Sequence, residues 1–320
     1  MIVTALTEMF GLTHPIVLGP MGGVSGGRLA AAVSNAGGLG LVGGGYGDPA
    51  WLRTELSRVT EATTRPWGVG LITWSVDRSV LELALSYRPA AFLLSFGDPR
   101  PYASAIKSAG CKLICQVQDI DQALVAREAG ADIIVAEGTE AGGHAGARAT
   151  LPLVPAVADA VAPLPVVAAG GIADGRGLAA ALMLGAHGVL MGTRFYASAE
   201  ALGHERAKER IIAAKGGETT QTRVFDIVRG YAWPKVYPGR ALRNRFLEIW
   251  HGRESELTAA LDSERSAYQR AAKEGDFDTA VVWAGEAVDL IQRIDSAGAL
   301  VARICEEAEG ILRAGARLVR

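Results

Sequence analysis

The chain is short of cysteine, of net charge and of long apolar runs, and each shortage closes a class of function. Three cysteines in 320 residues, Cys111, Cys115 and Cys305, cannot build a disulfide framework, and none belongs to a Cys-x-x-Cys set with histidines at zinc spacing. A reducing compartment is expected. Thirty-two lysines and arginines against 34 aspartates and glutamates leave a formal charge of -2, which gives no pull toward nucleic-acid phosphates or an anionic membrane. Neither partner is expected. No stretch of about eighteen uncharged apolar residues occurs, and residues 1–13 carry Glu8 and no basic leader region, so a cytoplasmic location is the expectation. No pair of His, Asp or Glu shows helix-face metal spacing, and no metal is expected. What the chain has in excess is glycine, 40 of 320, against a usual share of roughly 7%. With 49% hydrophobic residues it can fill one large core.

Short apolar runs bounded by glycine or proline recur eight times, at 16–19, 39–42, 67–72, 91–95, 112–117, 132–136, 165–169 and 188–191. Most lack polar alternation, as strands covered on both faces should. Between them, alanine and leucine fall at helical spacing, and Gly110, Gly130 and Gly185 stand where a helix C-cap glycine belongs. The runs start about 20 to 30 residues apart, the length of one strand-loop-helix unit, so eight units predict an α/β fold, a (β/α)8 TIM barrel. After the eighth run the rhythm breaks. Residues 197–252 mix Phe225, Tyr231, Trp233, Tyr237, Phe246 and Trp250 with Arg223, Arg229, Lys235, Arg240, Arg243 and Arg245, which reads as a lid inserted over the barrel. Val281, Ala284, Val288, Ile291 and then Val301, Ile304, Ala308, Ile311 read as helices that close it. The expected division is therefore 1–196 plus 253–320 for the barrel and 197–252 for the lid.

Two generic motifs are set aside. Gly38-Leu39-Gly40-Leu41-Val42-Gly43 spells a dinucleotide fingerprint but runs through a strand instead of following one. Gly23-Val24-Ser25-Gly26-Gly27 spells a nucleophile elbow, yet only one strand precedes it, where a serine hydrolase needs several. The informative cluster lies at the ends of strands six to eight, where barrel enzymes place their chemistry. Strand seven runs out into Ala169-Gly170-Gly171-Ile172-Ala173-Asp174-Gly175, and strand eight into Met191-Gly192-Thr193-Arg194. Glycines at both tips leave N–H groups bare and the following helix starts add partial positive charge, a cradle for phosphate, with Asp174 expected as an N-cap. Strand six ends Glu137-Gly138-Thr139-Glu140-Ala141-Gly142-Gly143-His144. A histidine between glycines at a barrel mouth, on a backbone expected to be mobile, suits proton transfer near neutral pH, so His144 is the catalytic candidate. His14, His187, His204 and His251 fall in turns, on the stability face or among charged helical residues. Cys111 and Cys115 read as small core residues.

The strings Glu140-Ala141-Gly142-Gly143-His144-Ala145-Gly146, Gly19-Pro20-Met21-Gly22-Gly23 and Ala169 to Gly175, with Arg243-Asn244-Arg245-Phe246, resemble the nitronate monooxygenase (2-nitropropane dioxygenase-like) family across nearly the whole chain. The same framework is shared by FMN-dependent enoyl-acyl carrier protein reductases of the second type and by NADH:quinone reductases. The resemblance implies FMN at the barrel mouth, its phosphate on Gly170, Gly171, Gly192 and Thr193 and its ring against Pro20, Met21 and Gly22. Gln116, Glu137, Gly142 and Gly143 complete the cofactor shell it implies. One departure is plain: many relatives read Gly-Val-Asn in strand three, where this chain has Gly68-Val69-Gly70. The implied reaction joins a nitronate and dioxygen, with His144 orienting the nitro group or taking the α-proton of a neutral nitroalkane. The alternatives are an NAD(P)H-dependent flavin reductase of enoyl thioesters or quinones, and a non-catalytic flavin-binding module. The expected partners are a small-molecule substrate and dioxygen; a homo-oligomer is left open.

Overall fold

The computed structural model describes residues 1–315 and 317. Eight parallel strands lie where the apolar runs predict, with edges moved by a residue or so: Ile16–Leu18, Gly40–Gly43, Trp67–Ile72, Ala91–Ser95, Lys112–Val117, Ile133–Glu137, Val166–Ala169 and Val189–Met191. From the second strand to the eighth each pairs with its sequence neighbour, and Ile16–Leu18 pairs with Val189–Met191. The remaining seam, between the first two strands, is joined by the Val17 to Leu39 bridge and by Leu18 N–H donating to Leu39 at 2.9 Å. The sheet thereby closes as a (β/α)8 barrel.

Alternation along each strand sends one side chain inward and the next outward. Val17, Leu39, Leu41, Leu93, Ile114, Val135 and Val167 fill the lumen, while Leu18, Val42, Val69, Phe92, Cys115, Ile134 and Ala168 face the surrounding helices. One element escapes the period-based reading. The helix Ala5–Phe10, capped by Thr4, inserts buried Leu6 and Phe10 into the base of the lumen. Six residues are too few for a helical repeat to show in the sequence.

Beyond strand eight, Thr219–Thr222 and Gly239–Leu242 form an antiparallel sheet whose third strand is Gly143–His144, from the loop after strand six. The helix reading of Val281 to Ile291 is corrected. Val282 and Ala284 run extended along Gly239–Leu242, and only Glu286–Leu290 turns, as a 3₁₀ segment. The helices Glu254–Ala259 and Leu261–Glu274 pack on Val224–Arg229, whereas Ala297–Gly315 packs on the barrel helices Gly175–Met183 and Gly27–Asn35. We propose that the cover extends to about residue 295.

Leu6→Ala should unfold the barrel more easily, by about 2–5 kcal/mol for a buried leucine with no room to collapse around it. Urea denaturation reads this, and a loss below about 1 kcal/mol would mean that the N-terminal helix is not a structural plug.

Candidate functional site

At the carboxyl ends of the strands lies a cleft with about 1250 Å³ of empty space, its solvent mouth included. Alternation aims Ser95, Gln116 and Glu137, the last inward residues of strands four to six, at its floor. Glu137 is buried, and its Oε2 accepts from Gln116 Nε2 at 2.8 Å and Gln118 Nε2 at 3.0 Å. Burial pushes its carboxyl up to about 8 despite those two donors, so it holds a proton at neutral pH.

The far wall is main chain. Gly170 and Gly171 adopt φ of +97° and +70°, and a Cβ at Gly170 would stand 2.8 Å from the Gly138 carbonyl oxygen, so no other residue fits there without displacement. Among the described residues no protein acceptor meets the N–H groups of Gly171, Gly192 or Thr193. The Thr193 hydroxyl accepts from Gly285 N–H at 3.0 Å, which ties this wall to the cover. The helix following strand seven does not add its dipole as expected. Asp174 caps Arg176 and Gly177, and Glu307 takes the Gly175 N–H at 2.9 Å, so two carboxylates already occupy that helix start. The segment after strand eight, Thr193–Tyr196, is a single turn without a side-chain cap.

Opposite this wall His144 is held rigidly, which corrects the expectation of a mobile imidazole. Its backbone pairs with Gly239, and its Nε2 lies 3.0 Å from both carboxylate oxygens of Asp226. Trp233 stacks on the ring at 3.4 Å and 5°, and Trp283 tilts against it at 5.2 Å. Trp233 is itself pinned, its Nε1–H donating to the Tyr46 hydroxyl at 2.9 Å. Burial lowers the His144 pKa, with the Asp226 carboxylate opposing, so the ring is neutral at pH 7. With Nε2–H donated to Asp226, Nδ1 carries the lone pair, and no protein hydrogen bond among the described residues engages it. Phe96 sits beside the ring with φ of +60°, a left-handed backbone that costs a bulky residue about 1–3 kcal/mol.

All of Pro20, Met21, Gly22, Gln116, Glu137, Gly142, Gly143, His144, Gly170, Gly171, Gly192 and Thr193 line this one cleft. The departure at Gly70 has a steric reason: a Cβ there would collide with the Pro20 ring. Ser25 is structural, its Oγ accepting from Met21 N–H at 2.7 Å. Arg240 is buried against Glu286 at 2.9 Å, not offered to a nucleotide, while Arg243 and Arg245 are exposed. Sequence reasoning missed Asp226, Gln118, Tyr46, Phe96 and Trp283. Asp226 left one trace, an acid inside the apolar run Val224-Phe225-Asp226-Ile227-Val228. Its partner, 82 residues away, left none.

Fold and site define a (β/α)8 barrel enzyme in which a histidine held by an aspartate faces unengaged main-chain amides across the barrel mouth. The chain belongs to the nitronate monooxygenase family, whose model matches residues 3–78 and 72–307. That makes it an oxidoreductase acting on small molecules with a flavin. It is 34% identical to the nitronate monooxygenase npaC of Metarhizium robertsii over 332 residues, 93% of this chain and 91% of that protein. It is 39% identical over 226 residues, 70% of this chain and 63% of that protein, to the (3aS,4S,5R,7aS)-5-hydroxy-7a-methyl-1-oxo-octahydro-1H-indene-4-carboxyl-CoA dehydrogenase of Rhodococcus jostii. The structure of FabK from Thermotoga maritima matches with a TM-score of 0.89 at 34% identity, over 100% of both chains. No helix among the described residues is long and apolar enough to cross a membrane.

Two consequences are measurable. The Asp226 carboxylate favours the imidazolium, so Asp226→Asn should move the His144 titration, followed by NMR, further below the ordinary value of 6.5; an unmoved midpoint would show the contact to be idle. Between the ordinary 4.5 and about 8, native Glu137 keeps a proton that the unfolded chain releases, so stability falls as pH rises through that window. Glu137→Gln should flatten this slope in urea unfolding from pH 5 to 9, and an unchanged slope would place its origin elsewhere.

Proposed function

We propose that the chain binds FMN at this mouth and oxidises alkyl nitronates, and nitroalkanes after deprotonation, with dioxygen. The observation that carries the reading is the opposition, across one cleft, of unengaged amides at Gly171, Gly192 and Thr193 and the neutral His144 fixed by Asp226. Those amides suit a phosphate, the backbone of Pro20 to Gly22 suits a flat ring, and Gln116 and Glu137 offer donors to the same ligand from the floor. FMN, when bound, supplies the electron-accepting and oxygen-using chemistry.

The protein's part is proton handling and position. His144 Nδ1 takes the α-proton of a nitroalkane, and Asp226 balances the imidazolium that results. A nitronate supplied as its anion has lost that proton already, and the same ring then orients the nitro group. Trp233 and Trp283 hold the imidazole plane and keep bulk water from it. A second reading is supported by the Rhodococcus jostii and Thermotoga maritima relatives: a flavin enzyme acting on a thioester, with the exposed Arg243 and Arg245 available to an anionic carrier.

Purified protein should be yellow, and His144→Ala should stay yellow while nitroalkane turnover falls about 10² to 10⁴-fold. Anaerobic NADH or NADPH should leave the flavin colour. Unchanged turnover in the variant removes His144 from the mechanism, and rapid bleaching by a nicotinamide transfers the assignment to the reductase reading.

A further inference from the structure

We propose that Phe96 determines substrate specificity, its ring forming with Trp233 and Trp283 an aromatic wall that selects substrates carrying a flat apolar substituent on the reacting carbon. The inference rests on the nitronate reading and narrows it to a substrate class.

Phe96 follows strand four and is, among the described residues, one of two other than glycine with positive φ, the other being the exposed Arg88. The other fourteen positive-φ positions among the described residues are glycines, as the steric preference dictates. A half-buried phenylalanine kept in that backbone state is held for its side chain, since glycine would adopt the same conformation without strain. The ring meets Trp233 edge-on at 4.9 Å and 80°, Tyr237 at 5.3 Å, and the His144 imidazole at 6.3 Å and 75°. Phe96, Trp233, Trp283 and Tyr46 all line the cleft around His144. A carbon that gives its proton to His144 must therefore carry its substituent among ring faces and edges, where an aryl group stacks and a methyl group leaves most of that surface uncovered.

The test compares phenylnitromethane with nitroethane on flavin-loaded wild type, Phe96→Ala, Phe96→Gly and Phe96→Tyr. Binding is measured anaerobically by calorimetry, and kcat/KM is measured separately with the two nitronates. Wild type and Phe96→Tyr should favour the aryl compound roughly 10-fold or more, the scale of one or two ring contacts. Both small variants should fall to within about twofold of no preference, the change lying in KM more than in kcat. Phe96→Gly should melt at a higher temperature than Phe96→Ala because it alone releases the left-handed backbone. Equal binding of the two compounds by wild type, or a preference kept in both small variants, overturns the proposal. If nitronate oxidation itself is wrong, no turnover is seen while the binding preference persists, so the two failures are told apart.

Discussion

Main-chain hydrogen-bonding capacity left open at the tips of strands seven and eight is the constraint on which the site depends. A backbone donor held away from a partner is costly, and native chains leave few of them. Here three such donors among the described residues, at Gly171, Gly192 and Thr193, come together, and at Gly170 beside them a Cβ would stand 2.8 Å from the Gly138 carbonyl oxygen. Such a wall has polar capacity, no bulk and little freedom, which suits an anionic group better than an apolar one. Burial raises the Glu137 carboxyl to about 8, which spares the floor a negative charge near neutral pH that would oppose such a group.

The barrel supplies the floor and the amide wall, and the cover supplies the surroundings of His144. His144 belongs by sequence to the loop after strand six, yet its backbone is a strand of the cover's sheet and its Nε2 is held by a cover helix. Gly285 reaches back to Thr193, and Trp233 to Tyr46. The two parts are thus joined through the site itself, so motion of the cover would change the geometry around His144 before it changed the barrel.

The barrel was legible because each strand is a short apolar run bounded by glycine or proline or by polar residues, and because glycines follow six of the eight runs at the same end of the unit. Site positions on the barrel share that legibility: Gly170, Gly171, Gly192 and the His144 loop follow strand ends whose direction the fold fixes. The cover was legible only as a change of rhythm. Val282 and Ala284 alternate as an extended segment does, but Val281, Ala284 and Val288 also match a helical period, and only pairing with Gly239–Leu242 decides between them. The mobility expected of His144 failed for a related reason. Flanking glycines allow a free backbone, whereas Asp226 and Trp233, distant in sequence, remove that freedom.

A phosphate held by unengaged amides makes one demand on affinity that a merely flat, apolar cleft would not. Flavin stripped from the protein and titrated back, monitored by quenching of flavin fluorescence, compares FMN with riboflavin, which differ only in the phosphate. Several charge-assisted backbone bonds should make FMN bind at least about 100-fold tighter. Equal affinity for the two, or uptake of neither, would contradict the account.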